Sequence, residues 1–126
     1  MKLSSVKKGQ AAELILQARC TIAGLDCYPS TSADNKVDMV IGPNLKRVQV
    51  KLLGAQGMNV RKVSCNSKTN TKIYRYSEEE IDCFVAVSLD DLSVYVIPMK
   101  GLTYRNKISA STVRKNYVAN DLTFLA

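Results

Sequence analysis

Val37-Asp38-Met39-Val40-Ile41-Gly42-Pro43-Asn44-Leu45-Lys46-Arg47-Val48-Gln49-Val50-Lys51-Leu52-Leu53 is the stretch on which the reading of this chain turns. Two runs rich in β-branched residues, Val37 to Ile41 and Arg47 to Leu53, flank the turn formers Gly42-Pro43-Asn44, so the stretch is predicted to be a β-hairpin. Side chains alternate along a strand, which sends Val48 and Val50 to one face and brings Gln49 and Lys51 out together on the other. Asp38 lies in the partner strand and reaches that second face if the register permits.

Working outward, Lys8 to Ala23 places Ala11, Leu14, Ile15, Ala18 and Ile22 at helical spacing, the pattern of an amphipathic helix with that stripe as its core side. Gly24 suits the stop, Leu25 to Pro29 a short strand, and Ser30-Thr31-Ser32-Ala33-Asp34-Asn35 a loop. Beyond the hairpin, Asn59 to Cys65 reads as a strand and Asn66 to Lys72 as a polar, flexible loop. Ser77-Glu78-Glu79-Glu80 has the composition of a capped single turn, in which Asp82 is structural. Asp82 to Leu89 and Leu92 to Pro98 form a second hairpin across Asp90-Asp91, and a short helix runs from Ser109 or Ser111 to Lys115. This order describes one α/β domain over residues 1–126, a central mixed β-sheet flanked by helices.

Composition narrows the chemistry. The 126 residues include no histidine, which removes Ser-His-Asp and Cys-His catalysis and every hydrolytic centre that activates water through an imidazole. Carboxylate-and-metal chemistry is the natural remainder. Cys20, Cys27, Cys65 and Cys83 show no Cys-x-x-Cys pair and read as buried reduced thiols. No apolar run approaches the ~20 residues of a membrane span, and Met1 to Lys8 lacks the apolar stretch of a secretory signal, so a cytoplasmic protein is expected.

Lys and Arg number 18 against 11 Asp and Glu, a net charge of +7 that suits a polyanionic partner. Two stretches contain no acid at all. Gly54 to Tyr76 holds Arg61, Lys62, Lys68, Lys72 and Arg75, and Met99 to Asn120 holds Lys100, Arg105, Lys107, Arg114 and Lys115. Any single surface lysine merely aids solubility, but two acid-free arms around one central region point to phosphate contact. Tyr74, Tyr76, Tyr104 and Tyr117 lie in or beside these arms and are assigned to half-buried sheet positions or to sugar and base contact, Tyr76 to the core.

A carboxylate, an amide and an ammonium converging on one sheet surface suit metal-assisted hydrolysis. Mg²⁺ takes hard oxygen ligands and keeps several waters, and a strand-fixed lysine can orient the attacking water and stabilise gathering charge. The same alternation also describes the wet side of a half-exposed hairpin. Glu13 lies about 200° around the helix from Ala11, on the side opposite the apolar stripe, and by periodicity reads as solvated. Gly9 either opens the helix or allows close approach to another backbone.

The order Lys8-Gly9-x-x-x-Glu13, Val37-Asp38-Met39-Val40, Val48-Gln49-Val50-Lys51 resembles the PD-(D/E)XK nuclease superfamily and, more narrowly, its group I intron-associated homing endonucleases. The similarity continues through Tyr76 to Phe84 and Tyr95 to Pro98. The resemblance implies a restriction-endonuclease-like core in which Asp38 is a metal ligand, Lys51 the catalytic lysine and Glu13 an additional acid from the first helix. It also implies that Gln49 occupies the position where most of the superfamily has Glu or Asp, a replacement the intron-associated branch accepts. It implies a Mg²⁺-dependent endonuclease, with Mn²⁺ able to substitute, that hydrolyses double-stranded DNA at a specific site as a dimer or tetramer. Lys8 and the basic residues of the two arms, Lys100 excepted, are the expected DNA contacts. A Holliday junction resolvase shares the same core, and a DNA-binding module with a decayed centre is the rival of another class, with Gln49 as its sign.

Overall fold

The computed structural model describes residues 2–30, 37–67, 70–100, 102 and 106–126, with side chains described outside 62–74. Ser4 caps the first helix, its hydroxyl accepting from the Lys7 N–H at 3.2 Å, and α1 then runs over Ser5–Ile22. It ends where Gly24 takes a positive φ of 79°, the stop that the sequence suggests. The chain continues through β1 (Asp26–Pro29), β2 (Met39–Gly42) and β3 (Lys46–Leu52). A two-residue strand β4 (Met58–Asn59) precedes β5 (Arg61–Ser67) and β6 (Asn70–Arg75). Then come β7 (Cys83–Val87), β8 (Val94–Pro98), β9 (Lys107–Ile108), α2 (Ala110–Asn116) and a 3₁₀ turn over Thr123–Leu125.

The central sheet has the order β1-β2-β3-β7-β8. Met39 pairs with Val48 in the antiparallel β2–β3 hairpin, and Cys83 with Pro98 in the antiparallel β7–β8 hairpin. The two hairpins are joined by parallel pairing of β3 and β7, Gln49 against Phe84 and Lys51 against Ala86. All of β7 is buried, as a central strand covered on both faces must be. Cys83, Val85 and Val87 pack with Val48 and Val50 under Ala12, Leu16 and Cys20 of α1. Phe84 and Ala86 turn the other way, to a second core with Tyr76, Ile81, Tyr95, Ile97 and Val113 of α2. Tyr76 is buried and meets Phe84 edge-to-face, with ring centroids 5.3 Å apart.

Three sequence expectations are corrected. The face of α1 that enters the core is Ala12, Leu16 and Cys20, while Leu14 is 63% and Ile22 83% exposed. The helix carries two apolar faces, and periodicity alone selected the outer one. The strand expected over Asn59 to Cys65 is interrupted at Val60, whose N–H donates to the Asn106 carbonyl at 3.0 Å. The flexible loop expected over Asn66 to Lys72 is largely strand: β5 and β6 pair from Arg61 opposite Arg75 to Ser67 opposite Asn70. Its polar residues concealed a ribbon that lies outside the central sheet.

Other expectations hold. Ser77 N–H and hydroxyl each contact Glu80 Oε1 at 3.1 Å, closing a single turn. Ser109 caps α2 by accepting from the Thr112 N–H. Cys20 and Cys83 are buried free thiols, each pushed up to about 12 by burial, and Cys27 is half-buried and free. The Cys65 side chain lies outside the described residues, as does the loop expected over Ser30 to Asn35 beyond Ser30 itself. Among the described residues, no helix is long and apolar enough to cross a membrane.

Candidate active site

Asp38 stands just before β2, and two hydrogen bonds tie it to β3. Its N–H donates to the Val48 carbonyl at 2.9 Å, and its Oδ2 accepts the Val50 N–H at 2.8 Å. The two bonds straddle Gln49, so the carboxylate is held beside the Gln49-Val50-Lys51 segment. A backbone N–H on a carboxylate oxygen is charge-assisted and fixes its position.

The third component comes from α1. Because Ala12 and Leu16 face the core, Glu13 lies at the edge of that face and not in open water. It lines a pocket of about 380 Å³ together with Asp38, Val50, Lys51 and Leu52 from the sheet and Ser5, Val6, Gly9, Gln10 and Ala12 from the helix. The expectation that Glu13 sits on a solvated face is therefore overturned, because the helix is rotated from the phase its outer stripe suggested. Burial raises the Glu13 pKa, and the like charge of Asp38 raises it further. Two carboxylates thus share one concavity.

Lys51 lines the same pocket, with its Nζ 5.5 Å from the Tyr76 ring centroid. Gln49 does not line it, but its Oε1 is buried with no hydrogen-bond partner. A buried amide oxygen left unbonded costs about 1–3 kcal/mol, and a bound cation is one way to recover it. Among the described residues, no three His, Cys, Asp or Glu side chains cluster around a common point. A dedicated carboxylate cage is absent there. Two carboxylates, one amide oxygen and water form the kind of open oxygen set that Mg²⁺ accepts.

Gly9 does not serve close packing within the chain, since a Cβ built on it meets nothing within 4 Å. Its missing side chain instead leaves space in the pocket wall, one helical turn from Glu13. Ser5 and Gln10 join that wall, and sequence reading singled out neither. The signal was available, since Ser5, Gly9 and Glu13 recur every four residues on one side of the helix.

At the other end of β3 a carboxylate meets the opposite environment. Asp82 Oδ2 accepts from the Arg47 N–H at 2.7 Å and from its Nε at 3.2 Å, and Oδ1 accepts from Nη2 at 3.1 Å. The same guanidinium donates to the Glu78 and Glu79 carbonyls. Burial alone would raise Asp82, but the Arg47 contacts outweigh it and hold the carboxyl below its usual range. Asp82 is the structural residue that the sequence suggested.

The two acid-free stretches meet in space. Asn59 of β4 pairs with Lys107 of β9, and Arg75 Nε donates to Asn106 Oδ1 at 3.1 Å. Gly57, with φ of 104°, allows this meeting, because a Cβ there would run into the Ile108 carbonyl. Arg61 is half-buried, and Arg75 and Lys107 are exposed. Lys62 and Lys72 lie on β5 and β6, with side chains outside the described set, and Lys68 and Arg105 fall outside the described residues. Half-buried Lys8 sits in a cleft with Leu52, Gly54 and Asp90. Exposed Lys115 lies on α2. Arg114 is already engaged, donating to Tyr95 Oη at 3.0 Å and Ser88 Oγ at 3.4 Å, and pairing with Asp91 at 3.6 Å.

No protein-family model matches the sequence, and no curated protein matches it. Among solved structures, the chain is similar to that of a bacterial homing endonuclease, I-Ssp6803I, with 22% identity and a TM-score of 0.76. The match covers 85% of this chain and 78% of the other. The five-stranded mixed sheet with its flanking helices is thus the fold of that homing endonuclease structure.

Proposed function

We propose that this chain is a metal-dependent DNA endonuclease of the homing type, built on a PD-(D/E)XK core, with Glu13, Asp38, Gln49 and Lys51 as its centre. The observation that carries the reading is the meeting of Glu13, Asp38 and Lys51 in one pocket, on a fold shared with a homing endonuclease. Asp38, Glu13 and Gln49 would hold Mg²⁺, or Mn²⁺ in its place, through oxygen atoms only. When bound, the ion supplies Lewis acidity toward a phosphodiester and a water of lowered pKa.

The protein's own groups do the remaining work. The Val50 N–H fixes the Asp38 carboxylate, so that donor needs no reorganisation at the moment of reaction. Glu13, raised by burial and by Asp38, is a carboxylate that a cation would relieve. The Lys51 ammonium, based on β3, orients the attacking water and balances negative charge gathering on the phosphoryl oxygens. The β5–β6 ribbon, with five basic and no acidic residues over 61–75, supplies duplex contact, since a two-stranded ribbon fits the major groove. One chain carries one centre, so cutting both strands requires a homo-oligomer, a dimer or tetramer on a roughly palindromic target.

Incubation of a randomised duplex library and a four-way junction with Mg²⁺ or Mn²⁺ tests the reading. Cleavage of a sequence subset of the duplex pool is expected, with none in chelator and none by Asp38→Ala or Lys51→Ala, both of which retain DNA affinity. Wild type that leaves every DNA intact, as Asp38→Ala does, identifies a binding module without catalysis. Cutting of the junction regardless of sequence identifies a junction resolvase.

A further inference from the structure

Lys51 leaves β3 on the face of the second core. Parallel pairing sets Lys51 beside Ala86 and Gln49 beside Phe84, and both Phe84 and Ala86 pack into that core. The lysine stem therefore starts among apolar neighbours, while its residue lines the pocket shared with Glu13 and Asp38. One group that stands against the ammonium is an aromatic face: Nζ lies over the Tyr76 ring, 5.5 Å from its centroid.

We infer that Tyr76 is a positioning residue for Lys51, its ring face fixing the ammonium at the pocket. The inference rests on the reading of Lys51 as the catalytic lysine. The distance lies within the ~6 Å over which a ring quadrupole attracts a cation. The ring itself is fixed in orientation, being 2% exposed and set at 89° to the Phe84 ring. Lys51 is half-buried, so water screens the attraction less than it does at an open surface.

Tyr76 is not among the residues that line the pocket, so it reaches the chemistry through Lys51. Its place in the chain suits that task. Tyr76 directly follows Arg75, the last residue of β6, and the ring is thus anchored where the basic ribbon enters the core. The kind of contact suits it as well. Asp82 holds Arg47 by cancelling its charge, whereas a ring face holds a cation and leaves its charge in place for the phosphoryl oxygens.

Cleavage kinetics of full-length ring variants in Mg²⁺, on a duplex that wild type cuts, test the inference together with proton NMR of the metal-free protein. Tyr76→Phe keeps the ring face and is expected to stay within about threefold of the wild-type kcat. Tyr76→Leu removes it and is expected to lower kcat by about 10- to 100-fold, the scale for a displaced reacting group, with KM for DNA unchanged. Incorporating mono-, di- and trifluorophenylalanine at position 76 withdraws electron density from a ring of nearly constant shape, and kcat is expected to fall stepwise along the series. Packing alone predicts a flat series, and a flat series overturns the inference. So does an equal kcat loss in Ile97→Ala, a truncation of the same core two strands away from Lys51. Protons over a ring face are shielded, so the Lys51 ε-methylene signals, identified by their loss in Lys51→Arg, are expected upfield in wild type and at their ordinary position in Tyr76→Leu. An ordinary position in wild type overturns the contact, whatever the chain does to DNA. Wild type that shows the upfield signals but cuts no duplex overturns the nuclease reading and the positioning role built on it. Wild type that cuts, with Tyr76→Leu undiminished in kcat, overturns the positioning role alone.

Discussion

Asp38 and Asp82 grip the same strand by the same device, a carboxylate oxygen accepting a backbone N–H of β3, at 2.8 Å from Val50 and 2.7 Å from Arg47. Their surroundings are opposite. Asp82 faces a guanidinium that cancels its charge and occupies both its oxygens. Asp38 faces Glu13, a second carboxylate whose pKa burial and like charge push upward. Asp82 is set against a guanidinium, whereas Asp38 adds its like charge to a pocket in which burial already raises Glu13, an environment of the kind found at functional sites.

Exchanging amide for carboxylate at the two positions breaks the comparison most sharply. Asp38→Asn is expected to lower DNA cleavage by more than about 100-fold, the scale for loss of a preorganised charge-stabilising group, with little change in fold. Asp82→Asn is expected to retain cleavage and lose stability by roughly 1.5–2 kcal/mol in urea unfolding, because the Arg47 donors keep a weaker acceptor in a partly exposed site. The folded Asp82 pKa lies below its ordinary 3.8, so its stabilisation is present above that value. It is lost as pH falls through the folded pKa, and the gap between wild type and Asp82→Asn should close there. Equal cleavage losses at the two positions would erase the distinction.

Gly9 offers a subtler test of the same contrast. A glycine inside a helix costs about 0.5–1 kcal/mol relative to alanine, and here nothing lies within 4 Å of the added methyl. Gly9→Ala is therefore expected to raise stability by about that amount while reducing cleavage, if the open space beside Glu13 receives substrate. A stabilised variant with wild-type KM and kcat would show that the space has no such use.

The smallest effect is expected at Glu13. Its folded pKa is raised, so its ionised form opposes folding once pH rises above the ordinary 4.5 and through the folded value. Glu13→Gln should therefore raise the metal-free Tm slightly at pH 8, and the gain should vanish below pH 4.5. Mg²⁺ should raise the wild-type Tm more than that of the variant. An equal metal-induced shift in both would remove Glu13 from the ligand set.

The hairpins of β2–β3 and β7–β8 were legible because their signals are local: β-branched runs, Gly-Pro-Asn and Asp-Asp punctuation, and strict alternation at Val48 and Val50. The β5–β6 ribbon was not. Ser64, Ser67, Asn70 and Thr71 have the composition of a loop, and it is the pairing of β5 with β6 that makes them strand. Alternation within one hairpin left Asp38, Gln49 and Lys51 open between a site and a wet sheet face, and the family resemblance grouped them. The wheel alone left Glu13 on a solvated side, because it assumes that the side opposite an apolar stripe meets water, and α1 has two such stripes; the resemblance is what included it.

The amino-acid sequence by itself determined what backbone geometry makes periodic or punctuated: the two hairpins, the existence of α1, the absence of imidazole chemistry and the acid-free stretches. Only the tertiary structure decided which side of α1 is buried, that β3 and β7 run parallel, that Glu13 opposes Asp38, and that the two basic stretches meet at Asn59 and Lys107. The physical reason is range. A strand or helix period is written within a few residues, whereas a rotation of α1 about its axis is chosen by what the sheet beneath it can bury, and that choice carries Glu13 from solvent into the pocket.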